Sequence, residues 1–367
     1  MTRGTSNSEA KERAAACRAT IFAQESGALF RDEERGLLLG CGPFHAAEEP
    51  PPGETVFYVN NYSLSDPKPW KIPSRLEILP LPAEQTPFLP VSWEAPRDEA
   101  FRAIFGEIMR SIRSGEIDKT VPALAEHGRL EAGDPREFVC LAAGASSSQY
   151  PYAFWERGRG FAGFSPEYLF RLHGRTLETM ALAGTTPSAC AERLRNDAKE
   201  ITEHQIVVEA IAHRLAPFGL LKRGKRRVRA LGPVSHLFTP IRLKAKEEHR
   251  PDFWIHLLHP TPALGPQPRT SATLAQLKAW RERLGCPPVF GAPFGIAHDG
   301  HANIAAVLRG ISWEGNAVSL TAGGGIIAAS TPEGEWGEFA LKRASIKLLF
   351  GMSPREEASA AVLDPQR

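Results

Sequence analysis

The sequence lacks the features that mark membrane, secreted and nucleic-acid-binding proteins. No apolar run reaches the roughly 18 residues that a membrane span needs, and the first 20 residues hold no continuous apolar segment typical of a signal peptide. Neither sign of charge dominates, since 44 Lys and Arg residues stand against 42 Asp and Glu residues. This balance argues against nucleic acid or an anionic membrane as a partner.

Cysteine is also scarce, and its spacing suits neither zinc nor a disulfide framework. The five cysteines are scattered and form no CxxC pair. We therefore expect a reduced, cytoplasmic protein in which local clusters of residues carry recognition. These cysteines are Cys17, Cys41, Cys140, Cys190 and Cys286.

The 367 residues can bury a large core, as one big domain or two ordinary ones. Residues 1–95 are rich in Pro and Gly and contain no readable motif, so we expect them to be the N-terminal part of one fold. A catalytic region over residues 96–355 and a tail over residues 356–367 complete the expected organisation.

Hydrophobic periodicity predicts a mixture of long helices and short strands. Helices are expected over residues 98–114, 196–215 and 335–350, where apolar residues recur near a period of 3.6. The absence of regular β-α alternation predicts an α+β fold with large antiparallel sheets flanked by helices. Strands are expected over residues 55–59, 119–121, 137–141, 160–163, 168–172, 175–182, 302–309 and 317–320.

Two pairs of glutamates have the spacing that puts both side chains on one helix face. Glu200 and Glu203 lie on one predicted helix, and Glu335 and Glu338 lie on the last one. Facing each other, the pairs would offer hard oxygen ligands to Mg²⁺, with waters and a substrate carboxylate completing an octahedron. Taken alone, either pair is more typical of a solvated helix face.

A glycine run, Gly323, Gly324 and Gly325, lies between a predicted strand and the last helix. Arg309 precedes it, and Lys342 lies one turn beyond Glu338. Glycine amides flanked by a guanidinium and an ammonium predict a clamp for a carboxylate. Without these neighbours, the glycines would indicate only a turn or bulge.

Lys119 is predicted inside a strand with apolar neighbours, an unusual place for a lysine without a task. Because burial disfavours the charged form of a lysine, such a residue can act as a general base. The simpler alternative is a surface lysine at a strand edge. Glu167 follows a proline turn and, taken alone, is more typical of an exposed turn carboxylate than of a general acid.

Six ordered segments resemble motifs of the chorismate-utilising enzymes. This family includes anthranilate synthase component I, aminodeoxychorismate synthase, isochorismate synthase and salicylate synthase, and the resemblance covers about residues 98–352. It implies the anthranilate synthase component I-like fold. The segments are residues 114–119, 163–167, 182–185, 199–204, 259–264 and 322–342.

The resemblance implies how the substrate chorismate is held. Glu203 and Glu338 would bind Mg²⁺, with Glu200 and Glu335 near the ion or its waters, and the ion would hold the ring carboxylate. For the rest of the substrate, the enolpyruvyl carboxylate would lie against Arg309, Lys342 and the backbone of residues 323–325, and the ring against Thr185 and His236.

It also implies the reaction. Lys119 would activate water for attack at C2, and Glu167 would protonate the departing C4 hydroxyl, since hydroxide is a poor leaving group. The two groups need opposite protonation states, and burial would favour both.

Four positions indicate which member the chain is most similar to. Lys119 distinguishes the water-adding members from anthranilate synthase, and Ala183 stands where aminodeoxychorismate synthases commonly have a lysine. Ala263 and Phe290 stand where salicylate synthases tend to have threonine and tyrosine. We therefore expect an isochorismate synthase without a glutamine amidotransferase subunit; salicylate synthase and a catalytically weakened binding relative are the alternatives.

The chain departs from the family pattern at several positions. Gly324 replaces a common alanine, Gly310 replaces a larger residue after Arg309, and Pro122 interrupts the strand of Lys119. The segment 286–289, Cys-Pro-Pro-Val, lacks an arginine that is often found before the position of Phe290.

Overall fold

Antiparallel strands form most of the structure. A computed structural model describes residues 7–81, 89–144 and 149–352. The strands of these residues are β1 (Gly27–Asp32), β2 (Gly36–Ala47), β3 (Val56–Val59), β4 (Trp70–Leu79), β5 (Val91–Trp93), β6 (Lys119–Thr120), β7 (Ala123–Leu130), β8 (Tyr150–Glu156), β9 (Arg159–Ser165), β10 (Tyr168–His173), β11 (Thr176–Pro187), β12 (Gly219–Arg223), β13 (Arg227–Leu231), β14 (Val234–Ala245), β15 (Pro293–His298), β16 (His301–Ala306), β17 (Gly310–Glu314), β18 (Ala317–Gly323) and β19 (Ile326–Ile327).

Helices cover the strands. The described α-helices are α1 (Asn7–Phe22), α2 (Asp98–Arg113), α3 (Glu137–Ala143), α4 (Ala198–Leu215), α5 (Pro251–Leu258), α6 (Ser271–Arg283) and α7 (Pro332–Leu349), with 3₁₀ turns at Ser188–Arg195 and Ala216–Phe218. None of the described helices is long and apolar enough to cross a membrane.

Seventeen strands join into one sheet, and every ladder in it is antiparallel. From one end, the neighbours are β5, β7, β18, β17, β9, β8, β1, β2, β4, β3, β15, β16, β10, β11 and β14, and β12 and β13 both pair with β14. Strands β6 and β19 form a separate two-stranded sheet. The α+β prediction with large antiparallel sheets is confirmed.

The two halves of the long sheet pack against each other through buried aromatic rings. Phe294 of β15 contacts Phe30 of β1 and Phe161 of β9, with ring centroids 6.1 and 5.5 Å apart. Outside this core, α4 and α5 pack on the half that holds β10, β11 and β14, and α1 and α3 pack on the other half. A fourth apolar cluster joins α2, α6 and α7.

Glycine and capping residues set the ends of the helices. Helix α2 buries Phe101, Ile104 and Ile108 on one face and ends before Gly115, whose positive φ of 76° favours glycine. Helix α7 begins at Pro332, three residues before the predicted start, because Thr331 caps it by accepting a hydrogen bond from the Gly334 amide at 3.2 Å.

The strand predicted over residues 137–141 is wrong, since these residues belong to α3. Phe138, Val139 and Leu141 are all buried, and a short apolar run of this kind cannot be assigned to strand or helix by periodicity. The predicted tail, 356–367, lies outside the described residues. A boundary near residue 95 stays a prediction, and β1 and β3 pair with the later strands β8 and β15.

Candidate functional site

A cavity with roughly 680 Å³ of empty space, its open mouth included, lies between the sheet and helices α4 and α7. Most residues predicted for the site line it. They are Glu167, Thr185, Glu203, His236, Ala263, Arg309, Gly323, Gly324, Gly325, Glu338 and Lys342. Lys119, Glu200 and Glu335 are buried behind this lining.

The two glutamate pairs converge on one cation. The ammonium of Lys199 lies 3.0 Å from Glu200 Oε1 and 3.0 Å from Glu335 Oε1. Its distances to Glu203 Oε2 and Glu338 Oε2 are 3.8 and 3.9 Å. Four carboxylates held in one buried cluster repel one another, so the fold must supply positive charge at this point.

The carboxyl groups of the cluster differ in pKa. Burial raises the pKa of Glu200 to about 7, and burial together with the charge of Glu338 raises that of Glu335 to about 7. Burial acts on Glu338 too, but Lys342 and Lys199 outweigh it and hold its pKa below the ordinary value. Glu338, which lines the cavity, therefore stays ionised at neutral pH.

Local hydrogen bonds fix the orientation of these glutamates. Glu200 Oε2 accepts from the Thr185 amide at 2.7 Å, and Glu335 Oε1 accepts from the Ser330 hydroxyl at 2.7 Å. The second oxygen of Glu335, Oε2, is buried and has no hydrogen-bond partner among the described residues. A buried carboxylate oxygen without a donor is the kind of atom that a cation satisfies.

Lys119 is fully buried on β6, where its ammonium lies 3.1 Å from Glu203 Oε1. Only glycine fits between this pair and the cavity. A Cβ on Gly325 would lie 2.1 Å from Glu203 Oε1 and 2.6 Å from Lys119 Cε. The alternative of a surface lysine at a strand edge is therefore wrong.

Glu167 lies in the tight turn between β9 and β10. The Ser165 hydroxyl donates to the Glu167 carbonyl at 2.9 Å and accepts from its amide at 3.2 Å. Burial raises the pKa of its carboxyl to about 8, against the opposing effects of Lys119 and Thr261. The expectation of an exposed turn carboxylate is wrong, and the group can hold a proton at neutral pH.

A second part of the cavity carries positive charge. Arg309 donates hydrogen bonds to His236 Nε2 and to the Leu231 carbonyl. Because His236 Nε2 accepts, its Nδ1 carries the proton and donates to the Gly184 carbonyl at 3.1 Å. Burial and Arg309 lower the pKa of His236 well below its ordinary value, so the ring stays neutral.

Lys342 completes this positive region. Its ammonium donates to the Gly323 carbonyl at 2.7 Å and to Glu338 Oε1 at 2.7 Å, which leaves one of its three N–H groups for a ligand. Gly324 and Gly325 lie beside it, between the ends of β18 and β19. Arg309, Lys342 and the glycine run thus line the same cavity, and their role as a carboxylate clamp stays a prediction.

Two departures from the family pattern have a physical reason in this chain. A Cβ on Gly324 would lie 2.5 Å from the ring of Phe339 and 3.0 Å from Glu335 Oε2. A Cβ on Gly310 would lie 2.4 Å from the hydroxyl of Tyr152, which donates to the Leu308 carbonyl at 2.8 Å. Large neighbouring side chains occupy the space that a larger residue would need.

The prediction missed two residues of this region. Lys199 precedes Glu200 and lies one helical turn before Glu203, so helix-face geometry could have placed it with them. Arg281 of α6 is buried and donates to the carbonyls of Val121 and Leu264, at 3.0 and 2.8 Å. It joins two loops that line the cavity, and no sequence signal near it indicates this contact.

The sequence is similar to those of known proteins. Residues 78–349 match the family model described as chorismate binding enzyme. The chain is 29% identical over 281 residues to the salicylate biosynthesis isochorismate synthase of Pseudomonas aeruginosa, covering 70% of this chain and 54% of that protein. It is 28% identical over 298 residues to anthranilate synthase component 1 of Aeropyrum pernix, covering 74% and 66%.

The fold is shared with a solved structure. MenF, the menaquinone-specific isochorismate synthase from Escherichia coli, superposes with a TM-score of 0.73 at 20% identity, and the match covers 91% of each chain. The chain spans less than two thirds of the length of the two sequence relatives. The resemblance inferred from the six segments is confirmed.

Proposed function

The chain belongs to the chorismate binding enzyme family, and on that premise we propose that it is an Mg²⁺-dependent isochorismate synthase. The observation that carries this proposal is the convergence of four glutamates beside a cavity that also holds a protonatable acid, Glu167, and two cations, Arg309 and Lys342. A dianionic substrate with one hydroxyl to expel requires these three kinds of group.

The residues fit a hard divalent ion. All four candidate ligands are carboxylates, and Glu335 Oε2 has no hydrogen-bond donor among the described residues. The ammonium of Lys199 already lies among them and offsets part of their negative charge, as a metal cation would. Glu203 and Glu338, which line the cavity, would bind Mg²⁺ directly, and Glu200 and Glu335 would lie behind them. When bound, the ion supplies a Lewis-acidic centre that holds the ring carboxylate of chorismate.

The remaining groups would bind and protonate the substrate. Arg309, Lys342 and the glycine backbone of residues 323–325 would hold the enolpyruvyl carboxylate. Lys119 would take a proton from the water that attacks C2, and the double bonds of the ring would shift. Glu167 would give its proton to the C4 hydroxyl, which leaves as water. Water is consumed and released, so the reaction is an isomerisation.

The cavity lining favours water addition over its alternatives. Ala183 lines the cavity and offers no amine at the position where aminodeoxychorismate synthases commonly have a lysine. Ala263 and Phe290 line it as well, so neither supplies the hydroxyl expected in a salicylate synthase. Because water and not ammonia is the proposed nucleophile, no glutamine amidotransferase subunit is needed.

Incubation with chorismate and Mg²⁺ and chromatography of the products tests the proposal. We expect isochorismate in reversible equilibrium with chorismate, and little pyruvate in an assay coupled to lactate dehydrogenase. Glu338→Gln should abolish turnover without unfolding the protein, because it removes a charged oxygen ligand. Glu333→Gln is the matched control, since Glu333 is an exposed residue of the same helix.

The other outcomes separate the alternatives. Stoichiometric pyruvate and salicylate would identify a salicylate synthase. Anthranilate formed with ammonia would overturn the role of Lys119. Binding of chorismate without turnover, in protein loaded with Mg²⁺, would identify a catalytically weakened relative.

A further inference from the structure

Three histidines form a row across three neighbouring strands, away from the cavity. His301 of β16 is the direct ladder partner of His173 on β10 and of His298 on β15. Directly paired residues of antiparallel strands project from the same face, about 5 Å apart. The rings accordingly lie together, with the centroid of His301 4.5 Å from that of His173 and 5.3 Å from that of His298.

A carboxylate reaches this row from the turn between β1 and β2. Asp32 fixes the turn, because its Oδ1 accepts hydrogen bonds from the amides of Glu34 and Arg35 at 3.0 and 2.8 Å. Glu34 Oε1 then lies 3.8 Å from His173 Nδ1. One potential ligand atom each from Glu34, His173 and His301 lie within 4.8 Å of one another.

The neighbouring groups leave this cluster open to a ligand. Nδ1 of His301 is buried and has no hydrogen-bond partner among the described residues, which is uncommon for a buried imidazole nitrogen. The two nearby arginines are engaged elsewhere, since Arg35 donates to Thr55 Oγ1 and Arg171 pairs with Glu33. No residue of the cluster lines the catalytic cavity.

We propose that Glu34, His173 and His301 form a binding site for a borderline divalent transition-metal ion such as Zn²⁺, separate from the glutamate cluster. Two imidazoles and one carboxylate suit Zn²⁺, Co²⁺ or Ni²⁺, whereas Mg²⁺ prefers oxygen ligands only. Bonds of about 2.0–2.1 Å place ligand atoms roughly 3.3 Å apart, so the side chains must close in by about an ångström or more. His173 and Glu34 can do so, because their side chains are 53% and 59% exposed.

Such an ion would connect separate parts of the sheet. Glu34 belongs to the β1–β2 turn, whereas His173 and His301 belong to β10 and β16. An ion held by all three would tie the turn to this ladder and stabilise the folded state, by an amount that grows with the logarithm of its concentration once that exceeds the dissociation constant. The site does not depend on the proposed reaction, because it shares no residue with it.

Titration with Zn²⁺ alone as the probe, in excess Mg²⁺ and followed by calorimetry, tests the site. The full chain should bind one Zn²⁺ per molecule at this site, and His301→Ala or His173→Ala should weaken that binding about tenfold or more. His213→Ala, which removes an exposed histidine of α4, should bind like the unchanged protein. Turnover of chorismate with Mg²⁺ should be the same in all these variants.

Zinc bound at the glutamate cluster would be a separate event, which Glu338→Gln would weaken and His301→Ala would not.

Thermal unfolding provides a second measurement. In excess Mg²⁺, Zn²⁺ should raise the melting temperature of the unchanged protein and of His213→Ala, but not of His173→Ala, which removes an exposed side chain. Equal Zn²⁺ affinity in His301→Ala, in His173→Ala and in the unchanged protein would overturn the proposal.

Discussion

At the scale of single residues, burial gives ordinary side chains unusual protonation states. Glu167 is the clearest case, since its carboxyl is buried in the cavity wall and its pKa is raised to about 8. Because burial disfavours the carboxylate, the group keeps its proton at neutral pH and loses it as the pH rises through about 8. The proposed general acid is therefore available below that pH and absent above it.

We predict that kcat/KM for chorismate is maintained up to about pH 8 and then falls by about tenfold per pH unit. Glu167→Gln should lower kcat by about 10² to 10⁴ and should remove this alkaline fall. Steady-state rates measured from pH 6 to 10 at saturating Mg²⁺ check both statements. An unchanged alkaline fall in the variant would assign that titration to another group.

A second prediction at this scale concerns Lys199. It compensates four glutamates, and any divalent ion bound there shares or displaces that role. Lys199→Ala should therefore lower the melting temperature of the metal-free protein by a few degrees and tighten Mg²⁺ binding. Melting curves with and without Mg²⁺ should show a larger shift in the variant than in the unchanged protein. A smaller shift would mean that Lys199 helps to hold the metal instead.

At the scale of elements, the glycine loop and helix α7 fit each other closely. Phe339 is fully buried and packs against Phe101 of α2, with ring centroids 5.2 Å apart, so it cannot move away from Gly324. Position 324 therefore accommodates only glycine, because the ring of Phe339 on α7 fills the space beside it. The pair of residues, and not the loop alone, sets the local geometry.

We predict that Gly324→Ala destabilises the protein by about 1–3 kcal/mol, as overpacking of a buried site does. Phe339→Leu in the same chain should restore part of the loss. Gly337→Ala is the matched control, since nothing lies within 4 Å of its added Cβ, and it should be neutral or slightly stabilising. Chemical denaturation measures all three, and an unchanged midpoint for Gly324→Ala would refute the contact.

At the scale of the whole molecule, the first 95 residues contribute strands to the interior of the long sheet. Strand β3 pairs with β15, and β1 lies between β2 and β8 and pairs with both. Their side chains Phe30 and Phe57 are fully buried in the aromatic core between the sheet halves. Removing these strands would expose the edges of β8 and β15 and part of the aromatic core.

A chain that begins at residue 96 should therefore fail to fold. We expect it to lack a cooperative thermal transition and to aggregate, because unpaired edges of β8 and β15 and part of the core become exposed. Circular dichroism and size-exclusion chromatography beside the full chain check this. A monomeric fragment that melts cooperatively would show that residues 1–95 form a separate unit.

The sequence alone determined the features that depend on short spacing. Glutamates three residues apart share a helix face, apolar periodicity marks α2 and α4, and six ordered segments are sufficient to identify the family. These inferences hold because each depends on residues within a few turns of one another, or on the order of motifs along the chain.

Tertiary structure alone decided which of these residues meet. Helices α4 and α7 are far apart in sequence, and only their packing places Lys199 among four glutamates and Lys119 behind Gly325. The burial that protonates Glu167 comes from the same packing, since an isolated turn after a proline would be solvated. Desolvation and close contact depend on distance in space, which local sequence patterns do not encode.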